Sequence, residues 1–384
     1  MSTHWLRIAS LVAVLLPGVS LAQSLPALKL TRELRIDAVE HDLSPIAFLA
    51  VAPNGTIVVT QQQDRNLRYF DASGKSLGTF GRQGQGPGEF MNVGRTSWVA
   101  DTLVVFDGMN RRLTLIAPER KLVRTVPLTI TISLRPRPGG DTPPAQFPAL
   151  PMSLTVDGSM IVSPRVLEGS PVPDWPGGAR EGSPLVRVDA SGVVQNVVAW
   201  RPEISCAVPF DAGAGIGSGY ASIPFCAALQ IDYAADGARV ALSWVESGSR
   251  PQFRLAVFRV NGDTLFNRTH AYQPVTITKG AKDTAMAQRS RNPQMREALA
   301  KVQLPESYPP LARLLIGTDE TMWLEFTTVA GERTWHMLDG RGTPIAQLKV
   351  PRNLRIMVAT RSNVWAIETD GDDLQHPVRY GISR

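Results

Sequence analysis

The chain is poor in the residue types that build most metal and nucleophile centres. Among 384 residues there are two cysteines and five histidines, with no HExxH and no close CxxC pair, so the common zinc and redox motifs are missing. No apolar stretch beyond the first two dozen residues is long enough to cross a bilayer, which takes about 20 residues. Acidic residues are slightly outnumbered, 34 against 40 Lys plus Arg, for a formal net charge of +6. The arginines are scattered (Arg65, Arg68, Arg82, Arg111, Arg112, Arg124, Arg289, Arg291) rather than gathered on one face, which argues against a nucleic-acid partner. What the chain has in quantity is turn formers: 32 glycines and 30 prolines beside 43% hydrophobic residues. That composition describes a turn-rich, β-rich globular protein.

The first 22 residues read as a secretory signal peptide. Arg7 precedes an apolar run from Ile8 to Leu16, Pro17-Gly18 breaks it, and Ser20-Leu21-Ala22 supplies the small residues of a cleavage site. Cleavage after Ala22 starts the mature chain at Gln23 and leaves no integral membrane segment, so a periplasmic or secreted location is expected. No cysteine follows the signal directly to carry a lipid. In an oxidising compartment Cys206 and Cys226 are expected to form a disulfide. It closes the glycine-rich stretch AVPFDAGAGIGSGYASIPF and is worth about 3 kcal/mol through restriction of the unfolded chain.

A unit recurs along the chain that no single copy can stabilise alone. Its first part is a turn followed by a β run: Asn54-Gly55 before TIVVT, Asp101 before TLVVF, Asp157-Gly158 before SMIV, Asp236-Gly237 before ARVALSW, Asp319 before ETMWLEF, and Arg361-Ser362-Asn363 before VWAI. Its second part is another β run closed by a turn: NLRYFDASG, RLTLIAPERK, PLVRVDASG, RLAVFRVNG and TWHMLDGRG, with HPVRYGI at the end. Together they read as six hairpins whose alternating apolar residues fill one face while Asp, Asn and Gly make the turns. Anchor spacings of 47, 56, 79, 83 and 43 residues are too uneven for a solenoid. A propeller tolerates them, because extra residues leave its blades as loops.

The expected fold is therefore all-β, a six-bladed β-propeller of four-stranded antiparallel blades in one domain spanning residues 23–384. Segments 135–151 and 168–184, rich in Pro and Gly, read as surface loops. Residues 282–303 read as one short helical insert, with Asn292 as cap, Pro293 at the first helical position, and Met295, Ala298, Leu299 and Val302 on one face. That stripe is expected to pack on a blade edge or over one mouth. Residues 28–38, LKLTRELRIDA, are expected to pair with the C-terminal hairpin and close the ring, which protects the edge strands.

The stretch from Gly55 to Phe90, GTIVVTQQQDRNLRYFDASGKSLGTFGRQGQGPGEF, resembles an NHL-type repeat: a strand, an Asn-Arg-like step, an Asp-x-x-Gly turn and a GxGPGxF close, in that order. The next unit repeats the Asn-Arg step at Asn110-Arg111. Residues 305–384 are similar to the last blades of exported bacterial six-bladed propellers whose activity is mostly unassigned. The resemblance covers residues 44–116 and 305–384 best. The middle units lack the GxGPGxF close, so there the blade count rests on the hairpins.

Gly84, Gly86, Pro87, Gly88 and Phe90 carry the glycine-rich close. No Lys-Ser/Thr and no helix follow, so a phosphate loop is ruled out in favour of a structural turn that anchors Phe90 in the core. Gly74-Lys75-Ser76-Leu77-Gly78 matches GxSxG, yet it spans a hairpin turn and a strand rather than the strand-to-helix elbow a serine hydrolase needs. The mature histidines, His41, His270, His336 and His376, fall in separate repeats. The tryptophans are expected in the core between blades, except Trp175, whose Pro-Gly-rich insert suggests either loop packing or a ligand contact. Since every recognisable residue is explained by building blades, the expected function is a non-catalytic, monomeric binding scaffold outside the cytoplasm, without a cofactor, for a protein, peptide or carbohydrate ligand. The alternative is a metal-dependent hydrolase or lyase, lactonase-like, with its site in the axial funnel.

Overall fold

The computed structural model describes residues 25–43, 45–134, 145–166, 173–178, 180–211, 218–235, 237–289 and 292–384. The signal peptide and parts of both Pro-Gly-rich inserts lie outside the described residues. After β1 (Ala27–Arg35) come two four-stranded sheets. The first holds β2 (Ile46–Val51), β3 (Ile57–Gln61), β4 (Asn66–Phe70) and β5 (Ser76–Phe80). The second holds β6 (Thr96–Val99), β7 (Thr102–Asp107), β8 (Arg112–Ile116) and β9 (Leu122–Pro127). The third sheet runs β10 (Ile130–Ser133), β11 (Gln146–Leu154), β12 (Met160–Pro164), β13 (Ser183–Val188) and β14 (Val194–Arg201).

A separate hairpin follows, β15 (Ala207–Asp211) with β16 (Ser218–Ser222). The next four-stranded sheet is β17 (Gln230–Tyr233), β18 (Arg239–Val245), β19 (Gln252–Arg259) and β20 (Thr264–Ala271). Then come α1 (Lys279–Arg289) and α2 (Pro293–Ala300). The last strands are β21 (Leu311–Ile316), β22 (Met322–Phe326), β23 (Arg333–Leu338), β24 (Pro344–Val350), β25 (Leu354–Ala359), β26 (Asn363–Thr369) and β27 (Gln375–Ser383). They share one eight-stranded sheet with β1, in the order β21-β22-β23-β24-β1-β27-β26-β25. Among the described residues the chain is all-β with two helices, in a propeller-like arrangement.

Each turn read from the sequence leads into a strand, and aspartate side chains show why. Asp71 Oδ1 accepts hydrogen bonds from the Ser73 N–H (2.9 Å), the Ser73 hydroxyl (2.6 Å) and the Lys75 N–H (3.0 Å). Asp189 repeats this with Ser191 and Val193, Asp339 with Arg341 and Thr343, and Asp370 with Asp372 and Leu374. The side chain replaces the backbone partners that a tight reversal leaves unpaired. The Asp71 and Asp339 turns join the third strand of a series to the fourth, the Asp189 turn joins β13 to β14, and the Asp370 turn joins β26 to β27.

The second strand β3 is buried along its whole length, because both its faces are covered. Ile57 and Val59 point into a cluster with Phe70, Trp365 and Ile367, while Val58 points the other way into one with Tyr69, Trp98 and Leu103. Period-two alternation thus assigns neighbouring residues to different interfaces. Further clusters join β7 and β8 to the third sheet, the third sheet to β17 and β18, β18 and β19 to β21 and β22, and β22 and β23 to β25 and β26.

Three expectations need correction. The strands do not form six separate four-stranded sheets: β1 runs antiparallel to β27 from Lys29↔Ser383 to Arg35↔Val378, but its start, Ala27 and Leu28, also pairs in parallel with Gln347 and Leu348 of β24. That contact fuses what lies on either side into one sheet. The third sheet has a fifth strand, because Ile130–Ser133 folds back on the long β11. The single helical insert is two helices, divided just before Asn292, whose side chain accepts the Gln294 and Met295 N–H groups. Leu299 of the predicted stripe is buried, and α2 packs against β15 and β16. That hairpin is bridged by a Cys206–Cys226 disulfide with Cα atoms 5.5 Å apart. No helix among the described residues is long and apolar enough to cross a membrane.

Candidate functional site

Five of the first strands, β2, β6, β17, β21 and β25, line one cavity of about 750 Å³. Neighbouring pairs touch, β6 with β2, β2 with β25, β25 with β21, and β21 with β17. Among the described residues neither the third sheet nor the β15–β16 hairpin contributes a wall residue. Between β6 and β17, where the series of strand contacts is open, an ion pair completes the wall: Arg95 Nη2 lies 2.6 Å from Asp232 Oδ1.

Polar groups on these otherwise apolar strands define the chemistry. Asp232, on β17, also accepts the Ile316 N–H at 2.8 Å. Burial pushes its carboxyl up, opposed by the Arg95 guanidinium and the Ile316 and Tyr233 N–H groups. The Arg95 guanidinium lies 5.8 Å from the Tyr233 ring centre, and burial raises that phenol to about 12. Arg313, on β21, donates to the Ile356 carbonyl of β25 and lies over the Trp335 ring, 6.0 Å from its centre. Arg355, on β25, donates in turn to the Ile46 carbonyl of β2 at 2.5 Å. Burial lowers the proton affinity of both guanidiniums; neighbouring arginines lower it further, and at Arg313 the Glu325 and Asp232 carboxylates oppose this. Two successive strands therefore each hand an arginine to the next across the cavity wall.

Sequence reasoning did not single out these residues. The available signal was an arginine inside an apolar strand run, in LARLLI and LRIMVA, where alternation predicts a buried or cavity-facing position. The residues that it did single out lie elsewhere. Gly84, Gly86, Pro87 and Gly88 form the crossing between the first two sheets. Arg112 of β8 donates there to the carbonyls of Gln85, Gly86 and Glu89, and Asn110 to that of Gly84. Phe90 is fully buried, against Trp98 and Leu103. Trp175 is only 3% exposed and packs on Phe147, so of its two readings the structure favours packing.

The histidines do not converge. His41 packs on Phe70, and His376 is buried against Asp370, 2.8 Å from Oδ2. His270 and His336 line a second, rim cavity of about 630 Å³ with Tyr272, Tyr308 and Phe326; burial lowers both imidazoles' proton affinity. Among the described residues no three His, Cys, Asp or Glu side chains are grouped to hold a metal ion. Gly74 and Ser76 of the GxSxG match sit in the β4–β5 turn and at the start of β5.

Fold and cavity together define an all-β, propeller-like protein with an arginine-bearing central cavity. No protein-family model matches the sequence, and no curated protein is significantly similar to it. Among solved structures it is similar to a member of the DUF4221 family from Bacteroides vulgatus, with a TM-score of 0.50 at 13% identity over 93% of this chain and 98% of that one. A protein from Bacteroides fragilis described as exported gives 0.49 at 11% identity, covering 93% and 95%. Virginiamycin B lyase from Staphylococcus aureus gives 0.41 at 11% identity, covering 93% and 99%. At such identities likeness bears on the fold alone.

Proposed function

We propose that residues 23–384 form a single six-bladed propeller, exported from the cytoplasm, that serves as a scaffold binding a small ligand in its central cavity. The blade count is supported by the core. Six clusters join successive units, and the sixth, Ile57, Val59 and Phe70 with Trp365 and Ile367, returns the last unit to the first. On this reading the eight-stranded sheet is two blades, β21–β24 and β25–β27 with β1, fused where β1 grazes β24. The NHL-type resemblance agrees with a propeller, and the Cys206–Cys226 disulfide agrees with an oxidising compartment.

The observation that carries the binding function is the cavity itself, bounded by strands from five of the six units and sized for a small molecule. Ala47 lies on its wall and is half-buried, so Ala47→Trp fills space there. A thermal-shift screen of the mature protein against small metabolites is expected to yield a ligand that stabilises the native chain and not the Ala47→Trp variant. Equal stabilisation of both would place binding elsewhere. Metal analysis of the same sample separates the alternative: one bound divalent ion per chain, with turnover of lactone or ester substrates lost on chelation, would replace the scaffold by an enzyme.

A further inference from the structure

We infer that the ligand of the central cavity is a small organic oxyanion, a carboxylate or phosphate ester, held by Arg313 and Arg355; this rests on the reading of that cavity as the binding site. The charges around it do not cancel. Four guanidiniums, Arg95, Arg313, Arg333 and Arg355, act on one another or on the two carboxylates here, Asp232 and Glu325. Both carboxylates already have a dedicated partner: Asp232 pairs with Arg95 at 2.6 Å, and Glu325 with Arg333 at 2.9 Å. Glu325, which is not a wall residue, and Asp232, which is one, also attract Arg313 without forming an ion pair with it among the described residues. Arg313 and Arg355 are left as the surplus, and neither makes an ion pair among the described residues.

A guanidinium carries five N–H donors in a planar fork. Arg355 spends one guanidinium nitrogen on a backbone carbonyl, and Arg313 one on a carbonyl with a long contact to Met357 Sδ at 3.9 Å. Each therefore has donors to spare at a wall where apolar side chains such as Phe48, Trp98 and Leu315 are mixed with neutral polar ones such as Gln62, Thr96 and Gln230. Holding two cations without an ion-pair partner out of water is unfavourable, and the charge of Arg333 beside both adds to the cost. An oxyanion relieves both costs at once, since the fork matches carboxylate and phosphate oxygens in a bidentate fashion. The competing explanation is that both arginines only staple adjacent strands, Arg313 to Ile356 and Arg355 to Ile46. A staple explains one hydrogen bond from each but gives no role to the remaining donors or to the surplus charge.

The test is calorimetric titration of the mature protein at low ionic strength with citrate, D-glucuronate and inorganic phosphate, with neutral D-glucose as control. At least one anion is expected to bind saturably and raise Tm. Arg355→Gln should weaken that binding by about ten- to a hundredfold, Arg355→Lys should recover part of it, and Lys75→Gln, at an exposed site away from the cavity, should not change it. Response to citrate or glucuronate identifies a carboxylate, and response to phosphate a phosphoryl group. Tm of each unliganded variant shows that the fold is intact, and Arg313→Gln repeats the test should Arg355→Gln unfold. If no anion binds, or binding survives both arginine substitutions, the inference is overturned. If glucose binds as well as the anions and Ala47→Trp abolishes it, the cavity remains the site and only its charge preference is wrong.

Discussion

Replacing His376 with alanine tests how the two ends of the chain hold each other. His376 lies on β27, is 1% exposed, and receives the Ala38 N–H on Nδ1 at 3.0 Å. Its Nε2 must then carry the ring proton, which points at Asp370 Oδ2 2.8 Å away. Arg35 and Asp37, from the end of β1 and the turn after it, close around the same group. In His376→Ala the Ala38 N–H, itself 2% exposed, loses its acceptor at a cost of about 1–3 kcal/mol. The space vacated by the ring adds roughly 1 kcal/mol. A chain of this length has an unfolding entropy of about 0.75 kcal/mol/K, so a loss of about 3 kcal/mol lowers Tm by about 4 °C. Differential scanning calorimetry at pH 7 reads this directly, and His376→Asn, whose carbonyl can still accept the Ala38 N–H, should lose less.

The same site predicts a pH effect with a definite sign. Asp370 is held below the ordinary carboxylate range first by its bond with His376, then by the Leu374 and Asp372 N–H groups; Asp37 is held low chiefly by the Glu40 and Val39 N–H groups. A depressed carboxylate contributes stability that is complete above its unfolded value of about 3.9 and disappears as pH falls through the lower folded value. Tm should therefore fall below about pH 4, and His376→Ala should flatten that fall because Asp370 loses its largest cause of depression. A Tm drop under about 1 °C at pH 7, or an Asn variant as damaged as Ala, would refute the proposed role of His376.

Two further outcomes follow from packing and covalent closure. Phe90→Ala should cost about 3–5 kcal/mol; Gly81→Ala should also destabilise, since its φ is +88° and a Cβ there would sit 2.4 Å from the Phe90 ring. Urea unfolding of the double variant should show a loss smaller than the sum, whereas strict additivity would mean that ring and glycine do not meet. Cys206→Ser with Cys226→Ser removes a bridge across 20 positions worth about 3 kcal/mol; Tm should fall by about 4 °C, and an unchanged Tm would show that this hairpin contributes nothing to the cooperative unit.

All six turn-and-strand anchors, the Asn292 cap and the pairing of the N-terminal segment with β27 were legible in the sequence. Each depends on local chemistry: aspartate oxygens reaching N–H groups two and four residues on, or apolar residues alternating with period two. The glycine-rich close was legible for the same reason, because glycine adopts a positive φ such as the +75° of Gly88 without the steric cost of a side chain. The candidate site was not legible. Arg313 and Arg355 are two of many scattered arginines; their place inside apolar strand runs marks each as buried or cavity-facing, but nothing local says that the two line one cavity.

Tertiary structure made three decisions that local chemistry leaves open. It set the start of β1 against β24 as well, because a strand's edge donors bond whatever edge lies within reach. It placed Arg95 against Asp232, 137 residues away, closing a wall that strand contacts leave open. And it gathered Arg313 and Arg355 around one cavity while assigning the nearby carboxylates to other arginines. The sequence by itself determined where the chain turns and which faces are apolar, since those depend on neighbours along the chain. Which charges meet depends on how the sheets are arranged about the axis, and only the assembled fold decides that.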